Sequence, residues 1–382
     1  MPLSICQVAS GCPSWGGVEL HILNLSEQLR LRGHDVTVAC RPDCWVEERA
    51  HQMGLPTVAI QVMKQGDWRD FGKLRRFLRD KQTDVMHVHW STDVIVPGFA
   101  ALSERIPVRI MSRHMPYPFK TRFGAMLYSR LLYTCLVPVS HSVRETLLRC
   151  GVRPDRIEVV HHGTDVEAFA RTTIPVQEAR RQIGLPENCI AVGIAGRISP
   201  EKGHAVLLEA ARLIGDRYPI RIVIIGNGPE EAKIKEQAEA LGSQVIFTGF
   251  RDDIHNALSA MDIVVVPSTW DEPCSAVVQQ GMALGKPVIG TQTGGTPEMV
   301  LDGETGLLVP PSDASALAEA VSRLAGDAFL RKRMGAAGRE RVEDFFSLRV
   351  MTDKIEALYL REYEMVHGTE ILERAPASKA AG

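Results

Sequence analysis

The chain lacks any apolar run approaching the ~18 residues that a membrane-spanning helix needs. It also lacks a basic stretch ahead of its first apolar segment: Met1-Pro-Leu-Ser-Ile-Cys-Gln reads at once as a core strand. A secretory signal is therefore not expected, and the mature chain is expected to begin in the cytosol. Eight cysteines are present, among them Cys12, Cys40, Cys44 and Cys135, yet they form no C-x-x-C pair and no Cys/His finger spacing. That argues against disulfides and zinc. With 44 Lys and Arg against 46 Asp and Glu, the formal net charge is −2, so the charge balance gives no case for nucleic acid. No period of about 20–50 residues repeats, which excludes a solenoid.

What is present suits a soluble globular protein: 45% apolar and 24% charged residues over 382 positions, long for one domain and comfortable for two. Short β-branched runs alternate with amphipathic helical stretches throughout, the pattern of parallel α/β sheets. In the first half the runs are Ser4–Ala9, Asp35–Cys40, Thr57–Val62, Asp84–His89, Val108–Ser112, Cys135–Ser140 and Ile157–Val160. In the second they are Ala191–Gly196, Arg221–Gly226, Val245–Phe250, Asp262–Pro267, Pro287–Gly290 and Gly306–Pro310. Between the first two runs, Leu20, Leu23 and Leu25 mark an apolar helix face and Gly33 a C-cap. The seam is expected between about Phe169 and Asn188, where period is lost and Pro175 and Pro186 punctuate the chain. The expected division is residues 1–170, residues 188–346, a helix over 347–366 and a disordered Ala/Ser/Pro-rich tail over 367–382.

The residues of chemical interest fall where strands hand over to helices, the edge at which open α/β sheets bind ligands. The first run of the second half ends in Arg197-Ile-Ser-Pro-Glu-Lys202-Gly203. Two cations beside a helix N-terminus suit a diphosphate; the ordinary alternative is a pair of surface salt bridges with Glu201 or Glu209. A later run ends in Thr-Trp-Asp-Glu272-Pro-Cys274-Ser275, whose carboxylate suits hydroxyl groups. Eight residues on, Gln280 sits in a strongly apolar helix, so it either bonds to backbone in the core or faces a polar ligand. Bare backbone follows at Gly294-Gly295-Thr-Pro-Glu298.

The first half is less pointed. Gly11-Cys-Pro-Ser-Trp-Gly16-Gly17 could let backbone approach a phosphate. It is neither G-x-G-x-x-G nor a Walker loop, and a tight turn without ligand fits equally. His87 and His89 share one face of a strand, His89 at its carboxyl end, and His114 follows the next strand. A core role is the simpler reading for His87; His89 is open. Lys120 to Tyr133 mixes cations with aromatic and aliphatic residues. It is either a membrane-surface helix meeting a lipid-linked acceptor or, more ordinarily, a core-packed helix with a solvated basic edge.

In order and spacing these motifs resemble the retaining GT-B glycosyltransferases of family 4 (glycosyl transferases group 1), over about residues 1–365. The second half carries the Arg and Lys after its first strand, Arg197 and Lys202. It carries the first position of E-x7-E at Glu272, the G-K-P-V strand entry at Gly285, G-G-x-P-E at Gly294–Glu298, and D-G-x-x-G-x-L-V from Asp302 to Val309. The first half adds Gly16-Gly17, the H-x-H-like strand and His114. Two departures stand out: Gln280 replaces the second glutamate, and His161-His162-Gly-Thr-Asp165 replaces the usual Asn-Gly-Val-Asp.

The resemblance implies two Rossmann-like domains facing across a cleft, with a C-terminal helix returning to the first. It implies transfer of a sugar from a UDP-, GDP- or ADP-sugar to an acceptor hydroxyl with retention, through an oxocarbenium-like transition state. Arg197 and Lys202 would neutralise the leaving diphosphate in place of a metal, with N–H groups near Gly16-Gly17 and Gly294-Gly295 assisting. Glu272 would hold donor-sugar hydroxyls and His114 would line the donor sugar. Gln280 would meet the ribose, without charge. Arg251, Cys274 and Ser275 would complete the nucleotide pocket, the base near Arg251. No metal and no cofactor beyond the donor are expected. The partners expected are a nucleotide sugar and a glycan or lipid-linked acceptor in cell-surface polysaccharide, lipopolysaccharide or glycolipid synthesis. The setting is the cytoplasm, with peripheral contact at the inner membrane face open; donor identity and oligomeric state are not set by the sequence. Two rivals share the fold: a nucleotide-sugar epimerase, which would call for catalytic carboxylates not plain here, and a non-catalytic nucleotide-sugar binder, which Gln280 would suit.

Overall fold

The structure is a computed structural model and describes residues 1–9, 16–61, 67–171 and 174–374. The chain divides into two compact units: unit 1 comprises 1–139, 143–161 and 351 onward, and unit 2 comprises 140–142 and 162–350. The passage at 161–162 comes earlier than the seam expected from sequence. The segment just beyond it belongs to the second core, where Val166, Ala179, Ile183 and Leu185 bury their side chains.

Unit 1 holds β1 (Ser4–Ala9), β2 (Asp35–Cys40), β3 (Thr57–Ala59), β4 (Val85–Val88), β5 (Val108–Arg113) and β6 (Cys135–Pro138). They form a parallel sheet in the order β3-β2-β1-β4-β5-β6. The run Ile157–Val160 is not a seventh strand. Glu158 and Val160 donate to the Leu136 and Pro138 carbonyls, but a single bridge at Ile157 is all the ladder that forms. Helix Gly17–Leu31 buries Ile22, Leu23, Leu25 and Leu29, whereas Leu20, expected inside, is exposed. Gly33 follows the helix at φ 93°, a left-handed conformation that suits glycine, and its N–H donates to the Arg30 carbonyl.

Unit 2 holds β7 (Ile190–Ala195), β8 (Ile220–Ile225), β9 (Val245–Gly249), β10 (Ile263–Val266), β11 (Val288–Thr291) and β12 (Gly306–Val309). The parallel order is β12-β11-β10-β7-β8-β9. Its strands are apolar on both faces because helices cover both. On β8, Ile222 and Ile224 enter one core with Leu207, Leu208 and Leu317, while Val223 and Ile225 enter the other with Val278 and Met282.

The last helix runs Leu348–Arg374, longer than the expected 347–366, so the first residues of the expected tail are helical; residues 375–382 lie outside the described residues. From Met351 it counts with unit 1, burying Met351, Ile355, Leu358 and Tyr359. Arg32 pairs there with Asp353 at 2.7 Å and Glu356 at 2.6 Å. Among the described residues no helix is long and apolar enough to cross a membrane.

Candidate functional site

In each sheet the strand order reverses once, and the carboxyl ends of the strands beside that reversal leave a crevice. In unit 2 the switch lies between β7 and β10. The loop after β7 carries Arg197 and Lys202; the loop after β10 carries Glu272. The two are stitched together: Thr269 N–H donates to the Glu201 carbonyl at 2.9 Å, and Thr269 Oγ1 to the Pro200 carbonyl at 3.2 Å. Gly203 makes this approach possible. It sits at φ 73°, and a Cβ there would stand 1.9 Å from the Pro267 carbonyl oxygen.

Across the switch, Lys202 Nζ donates to Glu272 Oε1 at 2.7 Å, and Ser268 Oγ to Glu272 Oε2 at 2.5 Å. Glu272 is only 8% exposed, so its carboxylate is fixed by an ammonium on one oxygen and a hydroxyl on the other. Arg197 is exposed, and its guanidinium makes no hydrogen bond or ion pair with the described residues. One cation is thus spoken for and one is open to an anion.

Several expected site residues are engaged otherwise. Gly295 N–H donates to the Glu272 carbonyl at 2.8 Å, so it is not free for a phosphate. Cβ atoms at Gly294 and Gly295 would meet the Glu272 and Pro273 carbonyl oxygens at 2.2 and 1.9 Å. These glycines make room for chain. Arg251 forms a two-pronged pair with Asp253 at 2.8 and 2.7 Å, which holds the Asp253 carboxyl below its usual range. Ser275 is buried, and burial pushes the Cys274 thiol up to about 12. Gln280 is half-buried, with no side-chain hydrogen bond to the described residues. The buried amide is its neighbour Gln279, which donates to the His162 carbonyl at 2.9 Å and accepts from Thr164 Oγ1 at 2.9 Å.

Three groups were not singled out from sequence. Ser268 had a signal, since it ends a strand four residues before Glu272. Gln279 had one too, a second amide in the same apolar helix. His204, directly after Gly203, is 2% exposed, and neither ring nitrogen finds a partner among the described residues. Burial, then the nearby Lys202 charge, lower its pKa to about 4, so the ring is neutral near pH 7.

In unit 1 the switch lies between β1 and β4. Gly16 is extended at φ −171° and Gly17 opens the following helix; Gly11 to Trp15 lie outside the described residues. His87, His89 and His114 are all buried. His87 Nδ1 meets the Tyr359 hydroxyl at 2.6 Å and its Nε2 the Ser112 hydroxyl at 2.8 Å. His89 Nε2 bonds Gln7 Oε1 at 2.8 Å and its Nδ1 lies 3.3 Å from His114 Nε2. His21 stands by, its ring centroid 5.3 Å from that of His114. His87 is thereby a core residue tying the C-terminal helix to the sheet, while His89 and His114 form a coupled pair at the carboxyl edge.

Comparison with known proteins agrees with this geometry. Residues 15–168 match the profile described as Glycosyltransferase Family 4, and residues 175–341 the one described as Glycosyl transferases group 1. The chain is 35% identical over 218 residues to a D-inositol 3-phosphate glycosyltransferase of Corynebacterium glutamicum, a match spanning 54% of this chain and 52% of that protein. It is 28% identical over 390 residues to a phosphatidyl-myo-inositol mannosyltransferase of Mycobacterium tuberculosis, covering 96% and 97% of the two chains. The crystal structure of Anabaena HepE in complex with UDP superposes with a TM-score of 0.82 at 21% identity, covering 93% of this chain and 99% of that one. The fold is GT-B. The two family matches together take in most of the chain, which belongs to the glycosyltransferases of the family 4 and group 1 type.

Proposed function

We propose that this protein moves a sugar from a nucleoside diphosphate sugar to an acceptor hydroxyl with retention at the anomeric carbon and without a metal. The observation that carries the reading is the Lys202–Glu272 contact of 2.7 Å across the β7/β10 switch, with Arg197 unpaired beside it. As the glycosidic bond breaks, negative charge grows on the β-phosphate. Arg197 and Lys202 stabilise that charge where Mg²⁺ would otherwise act. Glu272, held by Lys202 and Ser268, turns its remaining accepting capacity to donor-sugar hydroxyls. Gln280 takes the ribose position of the family's second glutamate. His114 keeps the role the family likeness gives it, contact with the donor sugar. The acceptor's proton passes to the leaving phosphate, since no side chain here is placed as a nucleophile.

The acceptor is a glycan or lipid-linked glycan of glycoconjugate synthesis. Supporting this are the phosphatidyl-myo-inositol mannosyltransferases and the Escherichia coli relative described as acting on GlcNAc-diphosphoundecaprenol, 24% identical over 371 residues. The test is nucleoside diphosphate release from labelled UDP-, GDP- and ADP-sugars, with and without candidate acceptors. Acceptor-dependent release from one donor is expected. Release or isomerisation without acceptor would indicate an epimerase, and binding without release a non-catalytic binder; either would overturn the proposal.

A further inference from the structure

Five hydrogen bonds in unit 1 join a series of polar side chains of which the proposed transfer uses only the last. They run from Ser112 through His87 and Tyr359 to Gln7, and on through His89 to His114. Gln7, His87 and Tyr359 are 0% exposed and His89 3%, so bulk water does not compete for these bonds. Gln7 on β1 sits in register with His87 on β4, and Tyr359 comes from the last helix.

Each proton in such a series can be placed, because a neutral imidazole donates from one nitrogen and accepts at the other. Tyr359 has a single proton to give. Its 2.6 Å contact with His87 Nδ1 lies in the range of O–H donors and is short for an N–H donor, so the phenol donates there. His87 then carries its proton on Nε2 and gives it to the Ser112 hydroxyl at 2.8 Å. The phenol oxygen is left to accept, and Gln7 Nε2 donates to it at 3.2 Å. Gln7 Oε1 therefore faces His89 Nε2, 2.8 Å away, and that nitrogen is the donor. The rings of His87, His114 and His21 have their centroids 4.1, 5.5 and 5.7 Å from that of His89, which together with burial disfavours a charged ring. Neutral His89 thus accepts at Nδ1, and the nitrogen 3.3 Å away, His114 Nε2, supplies the proton. His114 keeps its lone pair on Nδ1.

We infer that Gln7 and His89 are positioning residues that hold His114 in its Nε2–H tautomer, so that His114 Nδ1 accepts a hydrogen bond from a hydroxyl of the donor sugar. The inference rests on the sugar contact proposed for His114 and adds the atom that makes it and the groups that prepare that atom. Tyr359 anchors the series from the last helix, since its one proton orients the Gln7 amide.

The experiment has two arms, both on the full chain. Long-range nitrogen-15 NMR of protein labelled at histidine reads which ring nitrogen carries the proton, with no donor present. His87, His89 and His114 should each show a protonated Nε2 and a bare Nδ1 near pH 7. A proton on Nδ1 of His89 or His114, the arrangement that a reversed Gln7 amide would impose, overturns the inference. The second arm is Gln7→Leu. His114 should then populate both tautomers, and kcat/KM for the donor should fall about two- to twelvefold, the scale of one neutral hydrogen bond. A variant that melts lower but keeps the parental tautomers and kcat/KM would make Gln7 a packing residue only and overturn the inference as well. A parent that transfers no sugar would overturn both readings. The tautomers, read without donor, tell that failure from a failure of the positioning alone.

Discussion

Gln279 and Gln280 are adjacent on one short helix, and substitutions at the two should behave in opposite ways. Gln280 is half-buried and its side chain bonds to none of the described residues, so a carboxylate there keeps part of its hydration. If it meets the ribose, Gln280→Glu replaces a neutral hydrogen bond by a charge-assisted one, contributing about 1.5–3 rather than 0.5–1.5 kcal/mol. Nucleoside diphosphate affinity should rise by up to about tenfold, with melting temperature little changed. Gln279 is 1% exposed and joins the His162 carbonyl to the Thr164 hydroxyl, each at 2.9 Å. Gln279→Leu strands both, at about 1–3 kcal/mol each. For a domain of this size, at about 2–4 °C per kcal/mol, that lowers the melting temperature by about 4–24 °C. Calorimetric titration with UDP, GDP and ADP, alongside thermal melts, reads both quantities. Loss of stability without a gain in affinity in Gln280→Glu would remove Gln280 from the site. A Gln279→Leu variant melting like the parent would refute the packing role given to that amide.

Other outcomes follow from the same geometry. Transfer should survive excess EDTA; loss of activity that Mg²⁺ or Mn²⁺ restores would contradict the two-cation replacement for a metal. The anomeric configuration of the glycoside product, read by NMR, should match that of the donor, and inversion would exclude the proposed course. Stability should fall with pH through the window set by His87, whose folded pKa is lowered by burial to about 3 against about 6.5 unfolded. Above about 6.5 both states are neutral and the contribution is full; below it the unfolded chain takes up a proton that the folded one refuses, so stability declines toward pH 3. Urea melts should show this decline, and a smaller one in His87→Gln.

The alternating β-branched runs made the fold readable, because a strand buried on both faces must be apolar throughout and bounded by turns. The same logic pointed to Arg197, Lys202 and Glu272, since each follows a strand at the ligand-binding edge. Periodicity cannot tell what a glycine makes room for: a Cβ at Gly295 would meet the Pro273 carbonyl, which lies far from any local repeat. Nor could it separate Gln279 from Gln280, because Ala276–Ala283 is apolar nearly all round and has no visible outer face. The pairing of Arg251 with Asp253, two residues on, was not legible because it depends on loop conformation that no period encodes. The histidine neighbours were hidden for another reason. Parallel register sets His87 beside Gln7 on β1, and Tyr359 arrives from the far end of the chain.

The central claim is that the open cation and the bridged cation at the β7/β10 switch carry the diphosphate charge. It is tested most directly by turnover at saturating donor for Arg197→Ala and Lys202→Ala. Each should lose roughly 10²- to 10³-fold, the scale of one transition-state charge donor. Arg197→Ala should also melt like the parent, because its side chain makes no hydrogen bond or ion pair with the described residues. Near-parental turnover in either folded variant would contradict the account.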